Sequence, residues 1–196
     1  MTHLLIATTN PGKLREIEAI LKGVPVTLHT LSEFSGIEEP EETGATFEEN
    51  ARFKALYYSA ATGMLTAADD SGLEIEALGH APGVHSARWH GTDYAFKFQK
   101  IREALVAQGL ETSPARFVCC VAAAQDGRVL HETRGTIEGR LADTPAGTNG
   151  FGYDPIFFYP PLGLTLAQLD RHQKSQVSHR GKAFADLRSF LLHSQP

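Results

Sequence analysis

Two adjacent carboxylates, Asp69 and Asp70, follow a short apolar segment, Leu65–Ala68, that has the pattern of a buried strand. Ligands of α/β proteins bind at the carboxyl ends of strands. Like charges side by side are unfavourable unless a cation or a proton offsets them, and hard oxygen donors suit Mg²⁺. The pair is therefore a candidate metal or acid–base site. A solvated turn closed by Gly72 explains the same residues equally well.

A second candidate lies where an apolar segment meets a helix start, at Thr8-Thr9-Asn10-Pro11-Gly12-Lys13. A helix N-terminus offers backbone N–H groups and the positive end of a dipole to an anion, and Lys13 adds a charge. The segment is neither a Walker A motif nor a G-x-G-x-x-G loop. Phosphate binding is one interpretation, and an ordinary capped helix with a surface lysine is the other.

Three further segments carry polar groups that could bind a ligand. The acidic loop 38–42 is followed by a helix that holds Lys54, although such charges are usually solvated. The loop 147–155 combines glycines with Phe151 and Tyr153, whose ring faces could stack on a planar base. Alternatively, its aromatics fill the core. Lys174, His179 and Arg180 precede or begin the last helix, where their donors could bind a carbonyl-rich base edge or a phosphate. A capped helix with a basic start is the other interpretation.

The elements that must position these residues alternate between strand and helix, which indicates an α/β fold. Sequence signals for secondary structure are clearest at the helix N-termini. Suitable N-terminal residues are Asn10-Pro11, the capping box Thr46–Glu49, and Thr92 or Asp93. The predicted strands are His3–Thr8, Val24–Leu31, Leu65–Ala68, and a hairpin of Arg116–Gln125 with Arg128–Arg134 around Asp126-Gly127. The predicted helices are 10–23, 46–63, 92–108 and 178–193, and 147–159 is predicted to be a loop.

Composition narrows the classes of function. The 196 residues carry 18 basic and 23 acidic side chains, a net charge of −5, without a basic run, so polymeric nucleic acid is not an expected partner. No apolar run approaches the roughly 20 residues that span a bilayer, and the N-terminal residues do not resemble a signal peptide. We therefore expect no membrane partner and a cytoplasmic protein. Cys119 and Cys120 are adjacent, which disfavours a disulfide between them.

Taken in order, five segments resemble one known family, the inosine/xanthosine triphosphate pyrophosphatases, which remove non-canonical purine nucleotides. The segments span nearly the whole chain: ATTNPGKLRE from Ala7, EETGATFEENARFKA from Glu41, ADDSGLEIEALGHAPGVHSARW from Ala68, AGTNGFGYDPIFF from Ala146 and KSQVSHRGKAF from Lys174. The resemblance implies one domain over residues 1–196, with an elongated mixed sheet, flanking helices, and two lobes around a central active-site cleft. It also implies a homodimer.

The resemblance further implies Mg²⁺-dependent hydrolysis of ITP, dITP and XTP to the monophosphate and pyrophosphate. Glu42 and Asp70 would hold Mg²⁺, and Asp70 would accept the proton of the attacking water. The implied substrate-binding residues divide between the phosphates and the purine. Those at the phosphates are Thr8, Thr9, Asn10, Pro11, Gly12, Lys13, Lys54 and Ser71. Those at the purine are Phe151, Gly152, Tyr153, Asp154, Lys174, His179 and Arg180.

The chemistry of the substrate agrees with these roles. Phosphoryl transfer needs positioning and charge neutralisation, which a metal and basic groups supply. Inosine and xanthosine carry a 6-carbonyl acceptor where adenine carries an amine, so a buried donor such as Arg180 or Lys174 would favour the first two. Asn149 stands where the family pattern has Gly, and Asn tolerates a left-handed backbone.

Two other functions remain open on the sequence. The first is a pyrophosphatase for other modified or canonical nucleoside triphosphates. The second is a nucleotide-binding module without turnover, which the acidic and basic residues Asp70, Lys13 and Glu42 disfavour.

Overall fold

A single mixed sheet runs through the computed structural model, which describes residues 2–193. Its strands are β1 (Thr2–Ile6), β2 (Val26–Thr30), β3 (Leu65–Ile75), β4 (Pro114–Gln125), β5 (Arg128–Leu141), β6 (Phe157–Tyr159) and β7 (Leu164–Thr165). They lie in the order β2-β1-β3-β4-β5-β6-β7. Strand β1 is parallel to β2 and β3, pairing Leu4 with Leu28 and Leu65, whereas β6 is antiparallel to β5 and β7. The predicted mixed α/β fold is confirmed.

Helices form where the caps predicted them. They are α1 (Pro11–Ile20), α2 (Phe47–Thr62), α3 (Tyr94–Val106), α4 (Arg171–Val177) and α5 (His179–His193). Asn10, Thr46 and Asp93 are the N-caps of α1, α2 and α3, because each side chain accepts hydrogen bonds from the first turn. Helix α4 was not predicted, and Ser178 lies between it and α5. No helix within residues 2–193 combines the length and the apolar character that crossing a membrane requires.

The chain divides into two compact units. Unit 1 comprises residues 2–70, 119–135 and 179–193 of the described chain, and unit 2 comprises 71–118 and 136–178. The core of unit 1 packs β1 and α1 side chains such as Leu4 and Ile17 with Phe184 and Leu187 of α5. The core of unit 2 includes apolar residues of β3, α3, β5 and β6, with Phe157 fully buried. Each unit therefore has its own hydrophobic cluster.

The largest differences from the predicted strands are in β3, β5 and β6, and β7 was not predicted. β3 does not end at Ala68 but continues through Asp69 and Asp70 to Ile75, so the solvated turn is wrong. Residues Phe157–Tyr159 form β6 rather than part of a loop, because they pair with β5 and β7. β5 extends beyond Arg134 to Leu141.

At the predicted hairpin, Asp126 and Gly127 have φ values of 51° and 73°, as a tight primed turn requires.

Both cysteines are free and buried on β4, in agreement with the prediction that they form no disulfide with each other.

Candidate active site

The segment from Thr8 to Lys13 connects β1 to α1 and keeps its own backbone ordered. Asn10 Oδ1 accepts hydrogen bonds from Gly12 N at 2.8 Å and Lys13 N at 3.1 Å, and Thr8 Oγ1 accepts one from Asn10 N at 3.2 Å. The expectation that these first-turn amides stand open to an anion is therefore wrong, because the cap already uses them. The groups left for a ligand are side chains, above all the Lys13 ammonium.

A cavity of about 400 Å³ lies beside this segment within unit 1. Thr8, Thr9, Asn10 and Pro11 line one side, and Tyr58 of α2 lines another. The Thr9 hydroxyl donates to Glu39 Oε1 at 3.3 Å, so the acidic loop reaches the same region. Unit 1 thus brings together the first segment and the acidic loop.

Asp69 is the centre of a buried ion cluster. Its Oδ2 lies 3.0 Å from Lys13 Nζ and 3.4 Å from Arg180 Nη2, and Arg180 Nη1 donates to Glu16 Oε2 at 2.8 Å. Only 2% of Asp69 is exposed. Burial by itself would raise the pKa of Asp69, but the charges of Lys13, Arg180 and Lys54 outweigh it and hold the pKa well below its ordinary value. Asp69 is therefore ionised at neutral pH and pairs with two cations.

Asp70, the next residue on β3, has a different environment. Asn50 Nδ2 donates to Asp70 Oδ2 at 2.9 Å, and 4% of Asp70 is exposed. Burial raises its pKa, the Lys54 ammonium opposes that rise, and the Glu42 carboxylate adds to it, so the net direction is upward. A carboxylate whose pKa is raised binds a proton more readily than its neighbour Asp69.

Helix α2 connects Asp70 to the acidic loop. The Lys54 ammonium pairs with Glu42 Oε1 and donates to the Asp69 backbone oxygen at 2.6 Å. One turn earlier, Asn50 Oδ1 accepts from Gly44 N at 2.8 Å. A Cβ at Gly44 would lie 2.5 Å from that oxygen, so only glycine lets the loop approach. Asn50 and Lys54 are four residues apart on one helix face and together place Glu42 near Asp70.

The donor chemistry of Glu42 and Asp70 fits Mg²⁺. Both are carboxylates facing one ammonium group, and Mg²⁺ is commonly held by one or two carboxylates with substrate phosphates and water completing its shell. Within residues 2–193 there is no group of three or more His, Cys, Asp or Glu side chains placed to hold a metal. Glu42 and Asp70 therefore suit a cation whose remaining ligands are a bound phosphate and water.

The predicted purine-binding residues of unit 2 include a compact cluster around Asp154. Asp154 Oδ2 accepts from Lys174 Nζ at 2.6 Å and from Phe151 N at 2.8 Å. The Lys174 ammonium also lies 4.8 Å from the centre of the Phe151 ring. Gly150 has a φ of 72°, and a Cβ there would lie 2.1 Å from Asp154 Oδ2. Glycine is therefore required for this approach of backbone to carboxylate.

Tyr153 does not offer a stacking face, which corrects one prediction. Only 3% of it is exposed, its ring packs edge-on against Tyr94 at 5.1 Å, and its hydroxyl donates to Ser86 O at 3.0 Å. The alternative that this aromatic fills the core is the correct one for Tyr153. Phe151, which is half-buried, is the ring that remains for a base.

Asn149 keeps the loop in place without a special backbone conformation. Its side-chain nitrogen donates to Leu169 O at 3.0 Å and its amide donates to Ala167 O at 2.9 Å. It does not adopt a positive φ, so tolerance of a left-handed backbone is not the reason Asn is accepted here.

His179 and Arg180 begin α5, which belongs to unit 1. Arg180 is engaged by Glu16 and Asp69, so its contacts place it with Lys13. The guanidinium of Arg180 is therefore part of the Asp69 ion cluster. His179 is buried, and its carbonyl lies 2.1 Å from the position of a Cβ at Gly135. Ser71 follows Asp70 on β3 and is half-buried.

Comparisons with known proteins identify the family of this chain. The model of the Ham1 family matches residues 4–190. The chain belongs to the Ham1 family. A dITP/XTP pyrophosphatase of Geobacter sulfurreducens is 45% identical over 193 residues, with 97% of each chain covered, and one of Listeria monocytogenes is 41% identical, covering 98% of this chain and 96% of the relative.

Solved Ham1 structures have the same fold. A HAM1 protein from Coxiella burnetii superposes with a TM-score of 0.91 at 40% identity, covering 99% of this chain and 100% of the other. The Ham1 protein of Staphylococcus aureus superposes with a TM-score of 0.87 at 37% identity and the same coverage.

Two residues of this Ham1 chain that contact the predicted site were missed in the sequence. Glu16 pairs with Arg180, and Asn50 bonds both Asp70 and the acidic loop. Each had a weak local signal, since Glu16 lies three residues after Lys13 and Asn50 lies four before Lys54, on the same helix face in each case. Their partners are distant in sequence, so no local pattern identified them.

Proposed function

We propose that this protein hydrolyses dITP and XTP, and ITP with them, between the α and β phosphorus atoms, releasing the nucleoside monophosphate and pyrophosphate. The names of the Geobacter and Listeria relatives support this substrate class. The observation that carries the proposal is the pair of unlike carboxylates on β3, where Asp69 anchors cations and Asp70 has a raised pKa beside Glu42. The chain would act as one domain, 1–196, in a cytoplasmic homodimer.

The phosphates would be bound chiefly by side chains of unit 1, together with Ser71. Lys13, held by Asp69, would neutralise phosphate charge, with the hydroxyls of Thr8 and Thr9 as further donors. Lys54 and Ser71 would contact the same phosphates from α2 and β3. Glu42 and Asp70 would hold Mg²⁺, which when bound supplies charge neutralisation and polarises the phosphate oxygens. Phosphoryl transfer depends chiefly on such positioning and neutralisation.

Asp70 would accept the proton of the attacking water. Burial raises the pKa of Asp70 whereas the cations around Asp69 lower that of Asp69, so Asp70 is the better proton acceptor of the two. Asn50 donates to Asp70 Oδ2 and so fixes the direction of the carboxylate. Asp69 is the poorer base, because Lys13 and Arg180 stabilise its ionised form.

The base would be recognised by the Asp154 cluster of unit 2. Phe151 would stack on the purine, and Lys174 would donate to the 6-carbonyl that hypoxanthine and xanthine share. Asp154 orients Lys174 and the Phe151 amide through a single oxygen. Gly152, Tyr153 and His179 would contribute shape rather than direct hydrogen bonds to the base.

Pyrophosphate release tests the proposal directly. The purified protein is expected to release pyrophosphate from dITP and XTP with Mg²⁺ present, far faster than from dATP, and to stop when a chelator is added. Release of inorganic phosphate alone would contradict cleavage between the α and β phosphorus atoms. Equal rates for dITP and dATP would contradict the assignment of the substrate class.

A further inference from the structure

A lysine without an assigned role is buried in unit 2. Lys97 of α3 is 0% exposed, and its Nζ donates to Ser86 O at 3.0 Å and Ala87 O at 2.7 Å. The ammonium also lies over the Tyr94 ring at 4.4 Å from the ring centre. In the described part of the chain its partners are carbonyl oxygens and ring faces. A buried cation of this kind is costly, and its donors fix the turn that carries Ser86 and Ala87.

The Ser86 carbonyl is shared. Besides Lys97 Nζ, it accepts the Tyr153 hydroxyl at 3.0 Å. The Ser86 side chain donates to Gly83 O at 2.6 Å and accepts from Leu73 N at 2.9 Å. The turn around Ser86 is thereby bonded to β3 on one side and to Tyr153 on the other.

Tyr153 stands inside the loop that carries the proposed base-binding groups, between Phe151 and Asp154. Tyr94, in the first turn of α3, supports this loop directly, because its ring packs edge-on against the Tyr153 ring with the ring centres 5.1 Å apart. The Tyr153 ring also packs at 6.2 Å from Phe98, one residue after Lys97. Lys97, Ser86 and Tyr153 therefore connect α3 to the loop through a single carbonyl oxygen.

We propose that Lys97 is a positioning residue for base binding: it orients the Ser86 carbonyl to receive the Tyr153 hydroxyl, and so holds the loop that presents Phe151 and Asp154. The inference rests on the proposed function, because it assumes that this loop binds the purine. Because Lys97 is fully buried, it would act on the base only through this loop. Its effect is expected on recognition of the base and not on the phosphates, which the unit 1 residues would bind.

The test is Lys97→Met, which keeps the length and apolar character of the side chain but removes the donors. We expect the KM for dITP to rise about tenfold, the scale of a lost buried hydrogen bond, with kcat changed less than about threefold. Inorganic triphosphate, which has no base, serves as a competitive inhibitor, and its inhibition constant is expected to stay unchanged. Lys100→Met is the matched control, since Lys100 lies on the same helix and pairs with Glu103 at the surface.

Tyr153→Phe tests the same link from the other end and removes only one hydroxyl, so it carries the test alone if Lys97→Met does not fold. It is expected to raise the KM for dITP in the same direction, and the double variant is expected to add little to the larger single effect. Equal weakening of dITP and inorganic triphosphate would show a merely structural role and overturn the proposal. Unchanged KM values in both variants would overturn it too.

Failure of the proposed function has a different signature. If the wild-type protein does not hydrolyse dITP, equilibrium binding of dITP and of inorganic triphosphate to the same variants takes the place of KM. A selective loss of dITP binding supports the positioning role, and a parallel loss or no loss overturns it.

Discussion

Asp69 and Asp70 are consecutive on β3, yet the pKa of Asp69 is lowered and that of Asp70 is raised. Consecutive strand residues point to opposite faces of a sheet, so the two carboxylates meet different neighbours. Asp69 faces Lys13 and Arg180, whereas Asp70 faces Asn50 and the Glu42–Lys54 pair. This difference lets one carboxylate hold cations while the other is suited to accept a proton.

Exchanging each carboxylate for its amide separates the two roles. Asp70→Asn is expected to lower kcat for dITP by about 10²–10⁴, the usual cost of a lost general base. Asp69→Asn is expected to act mainly on KM for every triphosphate, because Lys13 loses its anchor. Steady-state kinetics on both variants measures the split. An Asp70→Asn enzyme within threefold of wild type, beside an inactive Asp69→Asn enzyme, would reverse the assignment.

The metal prediction concerns Glu42. Glu42→Gln removes one of two carboxylates and is expected to raise the Mg²⁺ concentration for half-maximal activity by about tenfold or more, as changes at metal sites commonly do. Titration of the rate with Mg²⁺ at saturating dITP gives this value. Glu41→Gln, an exposed neighbour, is the control and is expected to leave it unchanged. The same Mg²⁺ dependence in both variants would exclude Glu42 as a ligand.

Base selectivity is expected to depend on Lys174 and not on Arg180. Lys174→Met should lower kcat/KM for dITP and XTP by about ten- to a hundredfold, since a charged donor to the 6-carbonyl is lost, and dATP should lose far less. Arg180→Ala and Lys13→Ala should lower kcat/KM for dITP and dATP by similar factors, because both belong to the Asp69 cluster. A selective loss of dITP with Arg180→Ala would restore a base-reading role to Arg180.

The buried ion cluster also predicts how stability depends on pH. The folded-state pKa of Asp69 lies below its unfolded value, so its contribution is present above about pH 4 and is lost as the pH falls below that. Asp69→Asn is expected to destabilise the protein by about 3–5 kcal/mol at neutral pH, since it breaks a buried pair, and to flatten the acid decline.

Thermal unfolding between pH 3 and pH 7 measures this effect. Asp186→Asn is the control, because Asp186 pairs with His131 at the surface and its side chain is 57% exposed. An acid decline that is equally steep in Asp69→Asn would assign the loss of stability to other carboxylates.

Interactions between residues close together in the sequence could be predicted from the sequence alone. The caps at Asn10, Thr46 and Asp93 and the tight turn at Asp126-Gly127 each depend on residues within about four positions of one another. Two caps and the turn lie where they were predicted, and Asp93 is one of the two residues predicted as the cap of α3. The alternation of strand and helix, and the resemblance that pointed to the family, rested on the order of segments along the chain. The α/β fold and the set of candidate residues followed from these signals alone.

Only the tertiary structure decided the environments of those residues. Two consecutive aspartates predicted the end of β3, yet the strand continues through them. Distant parts of the chain supply the compensating charges and hydrogen-bond donors, from Lys13, Asn50, Lys54 and Arg180. The aromatic ring of Tyr153 suggested a stacking surface for a base. In the structure its hydroxyl donates to the carbonyl of Ser86, 67 positions earlier, and its ring is buried in the core of unit 2. Contacts between residues so far apart in sequence produce no periodic or local sequence pattern. Burial and pairing of these side chains are determined only when the distant segments pack together.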